Sequence, residues 1–171
     1  MMVWPVASAD DQLAIAGADL ATTILAEGRR SRLVQKLREE LQIVESIDMD
    51  VTTLEQGSLV MLEACCPAEQ IERVEMEIHQ QLINSLTMAI TDEEFHRALQ
   101  LVGNGHRFSL EAPGAVAASA GSQTLWGRHR DLLAPLQDLM HWNASTLRER
   151  VMPLLQPQHS FTLIARSEDN A

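Results

Sequence analysis

Histidines are the side chains of this sequence that could hold a catalytic metal ion. There are six of them: His79, His96, His106, His129, His141 and His159. A catalytic zinc site needs two closely spaced ligands, usually on one helix face, together with a third ligand and an open position for water. No two histidines are three or four residues apart, and the pairs Glu75–His79 and Glu93–His96 are of a kind common on exposed helices. The sequence therefore predicts no catalytic residue and no metal ligand on this chain.

The two cysteines, Cys65 and Cys66, are adjacent and follow a predicted strand. Neighbouring residues of a strand point to opposite faces, so a disulfide between them is unfavourable. No basic residue that would activate a thiolate is close in sequence, and the chain has no Gly-x-Ser-x-Gly motif for a serine nucleophile. We interpret both cysteines as small core residues in a protein of a reducing compartment.

One short segment concentrates positive charge in an acidic chain. Its basic residues are Arg29, Arg30, Arg32, Lys36 and Arg38. Such a cluster can be the solvated face of a helix. Guanidinium groups also donate to the carbonyl and carboxylate oxygens of a bound peptide, so the segment is equally a candidate binding element.

The chain as a whole carries a formal net charge of −11, from 24 acidic and 13 basic residues. A field of this sign repels phosphate backbones, so nucleic acid is not an expected partner. An acidic surface of this kind is typical of a soluble protein. The alternative interpretation is that the acidic residues line a wall that attracts basic peptides.

With 171 residues the chain has the length of one domain, and its apolar runs are shorter than the ~20 residues of a membrane span. No signal-peptide pattern is visible at the start, so we expect a cytoplasmic protein.

A β-hairpin is the clearest structural signal. Residues alternate between apolar and polar from Ile47 to Thr52, and an apolar run over Leu59–Leu62 returns after a turn at Glu55–Gly57. A strand at Met2–Ala7 and a closing strand at Ser160–Ala165 complete the β elements. The two strands of the hairpin are joined by a short turn, so they are antiparallel neighbours.

Helices fill the rest of the chain. Helical spacing of apolar residues predicts them over Leu13–Ile24, Leu33–Leu41, Ile71–Leu86 and Phe95–Val102. The last of these begins with a capping box at Thr91 and Glu94. The alanine-rich segment Ala112–Trp126 predicts a tightly packed helix. Another helix is predicted to begin at Asn143 or Ser145 and to run to about Leu155. Blocks of helices around a hairpin predict an α+β fold, a mostly antiparallel sheet with helices packed on one face.

Several short motifs together resemble the pitrilysin/insulinase-type zinc metallopeptidases (inverzincins), which include mitochondrial processing peptidase. A Ser-Arg-Leu turn and a Leu-Arg-Glu helix precede a strand in that family, as Ser31–Leu33 and Leu37–Glu39 do here. The helix opening Thr91–Phe95 and the segments Phe108–Glu111 and Ala117–Gly127 also resemble the family, so the similarity covers nearly the whole chain. The metal-binding motif His-x-x-Glu-His is missing from the sequence.

The resemblance implies a non-catalytic C-terminal domain of such an enzyme. It would be one half of a clamshell, with residues 1–171 as a single inactive domain excised from a longer chain and 167–171 as a frayed tail. The implied partners are an unfolded peptide and a catalytic domain with His-x-x-Glu-His on the same or another chain. Zinc is then expected on that catalytic domain, with none on this chain. A dimer is among the expected assemblies.

The resemblance also assigns a role to Arg38. The inactive half of many family members contributes an arginine, and a tyrosine seven residues later. Arg38 stands at the arginine position and Glu45 at the tyrosine position, and the chain contains no tyrosine. A phenol that could donate to a scissile carbonyl is thus missing, which leaves Arg38 as the candidate substrate-binding residue. The alternative function is an inactive binding or scaffold module that retains the fold.

Overall fold

A four-stranded antiparallel sheet with helices on one face forms the domain, which confirms the α+β prediction. The computed structural model describes residues 1–166, so the tail expected at 167–171 lies outside the described residues. The strands are β1 Met2–Val6, β2 Ser46–Thr52, β3 Ser58–Cys65 and β4 Phe161–Thr162. The α-helices are α1 Gln12–Ala26, α2 Ile71–Thr87, α3 Asp92–Ser109, α4 Pro113–Leu125, α5 Ala134–Leu139 and α6 Ala144–Arg150. A π-helix spans Val34–Glu40, and short 3₁₀ turns span Ala68–Gln70, Met152–Leu155 and Pro157–His159.

The sheet order is β2-β3-β1-β4, with every neighbouring pair antiparallel. Met49, Leu62 and Met2 lie opposite one another in register and are buried on the helix side. Side chains alternate along each strand, so the next row, formed by Asp50, Met61 and Val3, lies on the other face. The apolar–polar alternation of β2 thus fixes which face of the sheet meets the core.

The core lies between the sheet and α1. Eleven of the 15 residues of α1 are buried, because this helix packs on β2 on one side and on α3 and α5 on the other. Asp11 caps its start by accepting from the backbone N–H of Ala14, and Gly28, with φ of +75°, follows its end. Such a conformation is open to glycine at little steric cost.

Gly17 lies in the middle of α1, where the indole of Trp142 packs directly on the helix backbone. A Cβ at position 17 would lie 2.7 Å from Cε2 of Trp142, well inside the ~3.5–4.0 Å at which carbon atoms make favourable contact. The ring is fixed there because its Nε1 donates to the carbonyl oxygen of Leu13 at 3.1 Å, and the guanidinium of Arg150 lies 5.5 Å from its centroid. A side chain at position 17 therefore has no room.

We expect Gly17→Ala to lower the free energy of unfolding by about 1–3 kcal/mol, the usual cost of overpacking a core. In an exposed helix the same change would stabilise by about 1 kcal/mol, so here steric overlap reverses the sign. Urea denaturation followed by circular dichroism measures the effect. Gly105→Ala in α3 is the matched control, since no atom lies within 4 Å of its added Cβ. Equal effects of the two substitutions would contradict the packing assigned to Trp142.

Three predictions about the helices had different outcomes. The capping box of α3 is confirmed, because Thr91 accepts from the Glu94 N–H at 3.2 Å while the Glu94 carboxylate accepts from the Thr91 N–H at 2.8 Å. The helix over Leu33–Leu41 is a π-helix instead of an α-helix. The alanine-rich segment is helical, but the prediction of tight packing was wrong, because none of the residues of α4 is buried. Alanine favours a helix whether or not another surface covers it.

The closing strand is shorter than predicted, since only Phe161 and Thr162 pair with β1. The last helical region also differs, because α6 ends at Arg150 and Pro153 lies in the 3₁₀ turn that follows. Proline lacks the N–H that an α-helix would need there. Within residues 1–166, no helix is long and apolar enough to cross a membrane.

Candidate functional site

The face of the sheet opposite the helices, here called the open face, is left uncovered by the described helices. Its apolar side chains, exposed or half-exposed, form one group: Val3, Pro5, Leu59, Met61 and Phe161. Its acidic side chains, all exposed, form a second group: Asp48, Asp50 and Glu63. The open face therefore presents carboxylates along β2 and β3 next to an apolar surface on β3, β1 and β4.

The carboxylates of the open face lie on neighbouring strands and have no basic partner among the described residues. Asp48 stands directly opposite Glu63 across β2 and β3, and Asp50 is two residues further along the same strand. Like charges directly opposite one another destabilise a sheet. In the part of the chain that the structure describes, none of the three lies within 4 Å of a basic group.

Arg38 lies in the π-helix that leads to β2, and its side chain is exposed. The π-helix ends with bonds from the Leu41 N–H to the Lys36 carbonyl and from the Ile43 N–H to the Leu37 carbonyl, each 3.0 Å long. Gln42 between them has a φ of +52°, in the left-handed region. Such wide helical turns are frequent at functional sites, and this one places Arg38 near the start of the edge strand β2.

The other basic residues of the cluster are paired. Arg32 Nε donates to Glu94 Oε1 at 2.6 Å, Arg29 pairs with Glu39 at 2.6 Å, and Arg30 pairs with Glu93 at 2.9 Å. Lys36 pairs with Glu40 at 3.1 Å.

Arg32 contributes to structure, because its side chain is mostly buried and also donates to the Ala89 carbonyl. Among the residues described, Arg38 is the member of the cluster that has no carboxylate within 4 Å. Its donors are therefore available to a ligand.

Glu45, at the family's tyrosine position, lies just before β2 with its side chain exposed. Its backbone N–H donates to the Cys65 carbonyl at 2.8 Å, and its carboxylate accepts from Cys65 Sγ at 3.7 Å. A carboxylate only accepts hydrogen bonds, whereas a phenol can donate one. Glu45 therefore cannot replace the missing phenol as a donor to a carbonyl.

The two cysteines differ in exposure. Both border an apolar cavity of about 210 Å³ between the sheet and α2. Cys66 is half-buried, and burial raises the pKa of its thiol. Cys65 is exposed, so the prediction that both cysteines are core residues was wrong for this one. Its position opposite Ser46 places it on the open face.

The histidines do not converge on a common point. Nδ1 of His96 contacts the Asp92 carbonyl at 2.7 Å, and Nδ1 of His141 contacts the Gln137 carbonyl at 2.9 Å. Over residues 1–166 no three histidine, cysteine or acidic side chains are placed to hold a metal ion. The donor groups described therefore do not fit a zinc site.

An α+β domain with helices on one face and an open antiparallel sheet on the other is the architecture expected for one half of the clamshell. The sequence model of the peptidase M16 inactive domain matches residues 1–102. The chain belongs to this family of inactive peptidase domains, which confirms the resemblance to the pitrilysin/insulinase-type enzymes. No curated protein sequence matches the chain.

Solved structures show that the fold is shared with other proteins. A candidate zinc protease from Bordetella pertussis superimposes with a TM-score of 0.80 at 16% identity, over 94% of this chain and 88% of that one. The inactive peptidase domain of a candidate zinc protease from Bordetella parapertussis gives 0.82 at 16% identity, over 94% and 87%. A peptidase M16 inactive domain from Pseudomonas fluorescens gives 0.80 at 15% identity, over 93% of this chain but 38% of that one. The chain thus spans nearly all of the Bordetella structures and well under half of the Pseudomonas structure.

Proposed function

We propose that this chain is the non-catalytic half of a zinc-dependent metallopeptidase. In this role it pairs with a catalytic domain that carries His-x-x-Glu-His and helps to enclose a peptide substrate. Family membership supports the pairing, and the open face supports the enclosure, because it presents apolar and charged groups that no described element covers. Zinc on the catalytic domain would activate the water that attacks the peptide bond. Nucleic acid is not among the proposed partners.

The catalytic domain belongs either to the same polypeptide or to a second subunit. The mass of the native protein in its source cell decides between these arrangements. A mass well above the 19.0 kDa of this chain indicates a longer polypeptide that contains both halves. A mass equal to that of the chain indicates a separate subunit.

Arg38 is the residue of this chain that we assign to the substrate. A guanidinium carries five N–H donors and suits the carbonyl and carboxylate groups of a peptide. The single observation that carries this assignment is that Arg38 is exposed and unpaired among the described residues, whereas its basic neighbours are paired. A binding residue needs its donors free before the ligand arrives.

Replacement of Arg38 by alanine is expected to lower kcat/KM for peptide hydrolysis by the complete enzyme about tenfold to a hundredfold. This range corresponds to the ~1.5–3 kcal/mol of a hydrogen bond to a charged group. Arg73→Ala on α2 is the matched control, since Arg73 is also exposed but lies on the helix side of the domain. We expect the control to stay within about twofold of the unchanged enzyme. Equal losses for the two variants, or no loss for Arg38→Ala, would exclude a contact between Arg38 and the substrate.

The second candidate function is a binding or scaffold module without a part in proteolysis. Glu45 at the tyrosine position favours it, because the group that could assist the reaction is missing. In that case the peptidase activity of the catalytic half is the same with and without this chain. Arg38→Ala then leaves turnover unchanged and at most weakens assembly with the catalytic half, which sedimentation velocity measures.

A further inference from the structure

The apolar cavity between the sheet and α2 lies on the helix side of the domain and has a volume of about 210 Å³. Its walls include buried aliphatic side chains of β1, β3 and α2, namely Met2, Leu62, Val74 and Ile78. At one end it is bordered by the exposed residues Cys65, Leu163 and Ile164, so it opens to the surface there. The fold therefore forms a space that a small molecule can enter from solvent.

The size and the lining of the cavity restrict what it can hold. An apolar cavity of about 150 Å³ takes up benzene and excludes water, because water needs two to four polar partners. Drug-sized ligands fill pockets of about 300–1,000 Å³. The cavity between the sheet and α2 lies between these volumes, so it suits an aliphatic chain of about six carbons.

Glu75 selects the head group of such a chain. It lies on α2, is half-buried and lines the apolar cavity. Over residues 1–166, no basic group lies within 4 Å of its carboxylate. Several exposed carboxylates of the chain are unpaired as well, but Glu75 differs from them because it stands beside an apolar space. A cationic head group would therefore find a partner where its aliphatic chain is also buried.

Cys66, which also lines the cavity, indicates the sign of the local charge. Burial is the largest cause that raises the pKa of its thiol, and nearby negative charges, among them Glu45 and Glu69, raise it further. The ammonium group of Met1 borders the same cavity and lowers the pKa by a smaller amount. The carboxylates around this end of the cavity thus outweigh the ammonium group, which favours a cation over an anion.

We propose that this cavity binds a primary alkylammonium ion, with its aliphatic chain between Leu62 and Ile78 and its ammonium group beside Glu75. Alkylamines are protonated at neutral pH, as the lysine side chain is. The site goes beyond the proposed function and does not depend on it, since neither Arg38 nor a catalytic half takes part.

The first test is a series of linear primary amines, from propylamine to octylamine, titrated into the full chain and followed by its amide NMR spectrum. We expect each added methylene to tighten binding about fourfold until the chain reaches about six carbons. Longer chains should gain little, because the cavity is then full. Affinity that keeps rising through octylamine would indicate adsorption to exposed apolar surface and would overturn the proposal.

The head group is tested with hexanoate and hexanol. Hexanoate should bind at least about tenfold more weakly than hexylamine, because it brings a second negative charge to Glu75. Glu75→Gln should weaken hexylamine binding about twofold to fivefold and leave hexanol binding unchanged. Glu72→Gln is the matched control, since Glu72 is exposed on the same helix and does not line the cavity. Equal losses in the two variants, or equal binding of hexylamine and hexanoate, would contradict the choice of an amine.

The location is tested by filling the cavity from β3. Ala64→Leu should weaken hexylamine binding at least about tenfold, since the added carbons occupy the space of the ligand. Ala115→Leu on the exposed helix α4 is the control and should leave binding unchanged. Unchanged binding to a folded Ala64→Leu variant would overturn the proposal.

A second measurement of location does not depend on the folding of that variant. In a Cys65→Ser chain, saturating hexylamine should prevent most of the alkylation of Cys66 by iodoacetamide, because the ligand covers the thiol that lines the cavity. An unchanged rate of alkylation would place hexylamine elsewhere and would overturn the proposal.

Discussion

Replacement of Trp4 by alanine is expected to lower the free energy of unfolding by about 3–5 kcal/mol, the largest effect of any single change considered for this domain. Trp4 lies in the centre of β1 with none of its surface exposed. The substitution would leave a cavity of indole size between the sheet and the helices. Domains of this length have a total stability of about 5–15 kcal/mol, so the variant would retain only a fraction of it.

Lost hydrogen bonding adds to the lost packing. Nε1 of Trp4 donates to the backbone carbonyl of Gln156 at 2.9 Å, and the Gln156 side chain donates to the carbonyls of Leu82 at 2.9 Å and Met152 at 3.0 Å. Gln156 is 3% exposed, so water cannot replace a missing partner easily. This network connects β1, α2 and the 3₁₀ turn Met152–Leu155, and the indole is one of its donors.

Urea denaturation followed by far-ultraviolet circular dichroism is the appropriate measurement, because it does not depend on tryptophan emission. Trp126→Ala is the matched control, since Trp126 follows α4 with 52% of its surface exposed. We expect the control to change stability by less than about 0.5 kcal/mol. A control that loses as much as the Trp4 variant would contradict the burial described for Trp4.

Replacement of Asp19 by asparagine is expected to stabilise the protein by about 2–3 kcal/mol at pH 8. Burial in α1, and secondarily the charge of Glu27, raise the pKa of Asp19 from 3.8 to about 6. Each pKa unit corresponds to about 1.4 kcal/mol. The charged carboxylate therefore destabilises the folded protein at neutral pH. Asparagine carries no charge, so the substitution removes this destabilisation.

The sign of the pH dependence follows from proton binding. Between pH 3.8 and about 6 the folded protein holds a proton at Asp19 that the unfolded chain has released. The stability contributed by this group therefore falls as pH rises through that window and stays low above it. Below about pH 4 both states are protonated, so the Asn variant and the original protein should then be equally stable.

Denaturant titrations at pH 4, 6 and 8 test this expectation. Glu72→Gln on the exposed side of α2 is the control, because it removes the same charge from an exposed position. A gain that is the same at all three pH values, or equal in the control, would exclude a buried carboxylate as its origin.

The elements that local chemistry determines were predictable from the sequence. The alternation of Ile47, Met49 and Val51 with aspartates and threonine identifies β2 and its buried face. Likewise, Thr91 and Glu94 define the start of α3, because a capping box involves only neighbouring residues. Such features depend on contacts within a few residues, which a sequence displays directly.

Features that depend on distant contacts were not predictable. The small residues of α4 indicate a helix but not whether anything covers it. The π-helix differs from an α-helix by a hydrogen-bond shift that no residue type specifies. The length of β4 depends on how far Phe161 and its neighbours follow β1.

The candidate site was predictable in part. Asp48 and Asp50 share a face by their spacing, but only the register with β3 brings Glu63 opposite Asp48. The assignment of Arg38 as a substrate-binding residue came from the family resemblance. Its basic neighbours are paired through contacts between residues distant in sequence, such as Arg32 and Glu94, which are 62 residues apart. No local pattern could separate Arg38 from the rest of the cluster.

The adjacent cysteines have a practical consequence. Cys65 is exposed on the open face, whereas the pKa of Cys66 is raised by burial in its apolar cavity. Since the thiolate is the reactive form, a maleimide at neutral pH should modify Cys65 first. One dye molecule can then be attached two residues from Glu63, on the open face. The natural sequence thus contains a labelling position from which fluorescence can report on molecules that approach the open face.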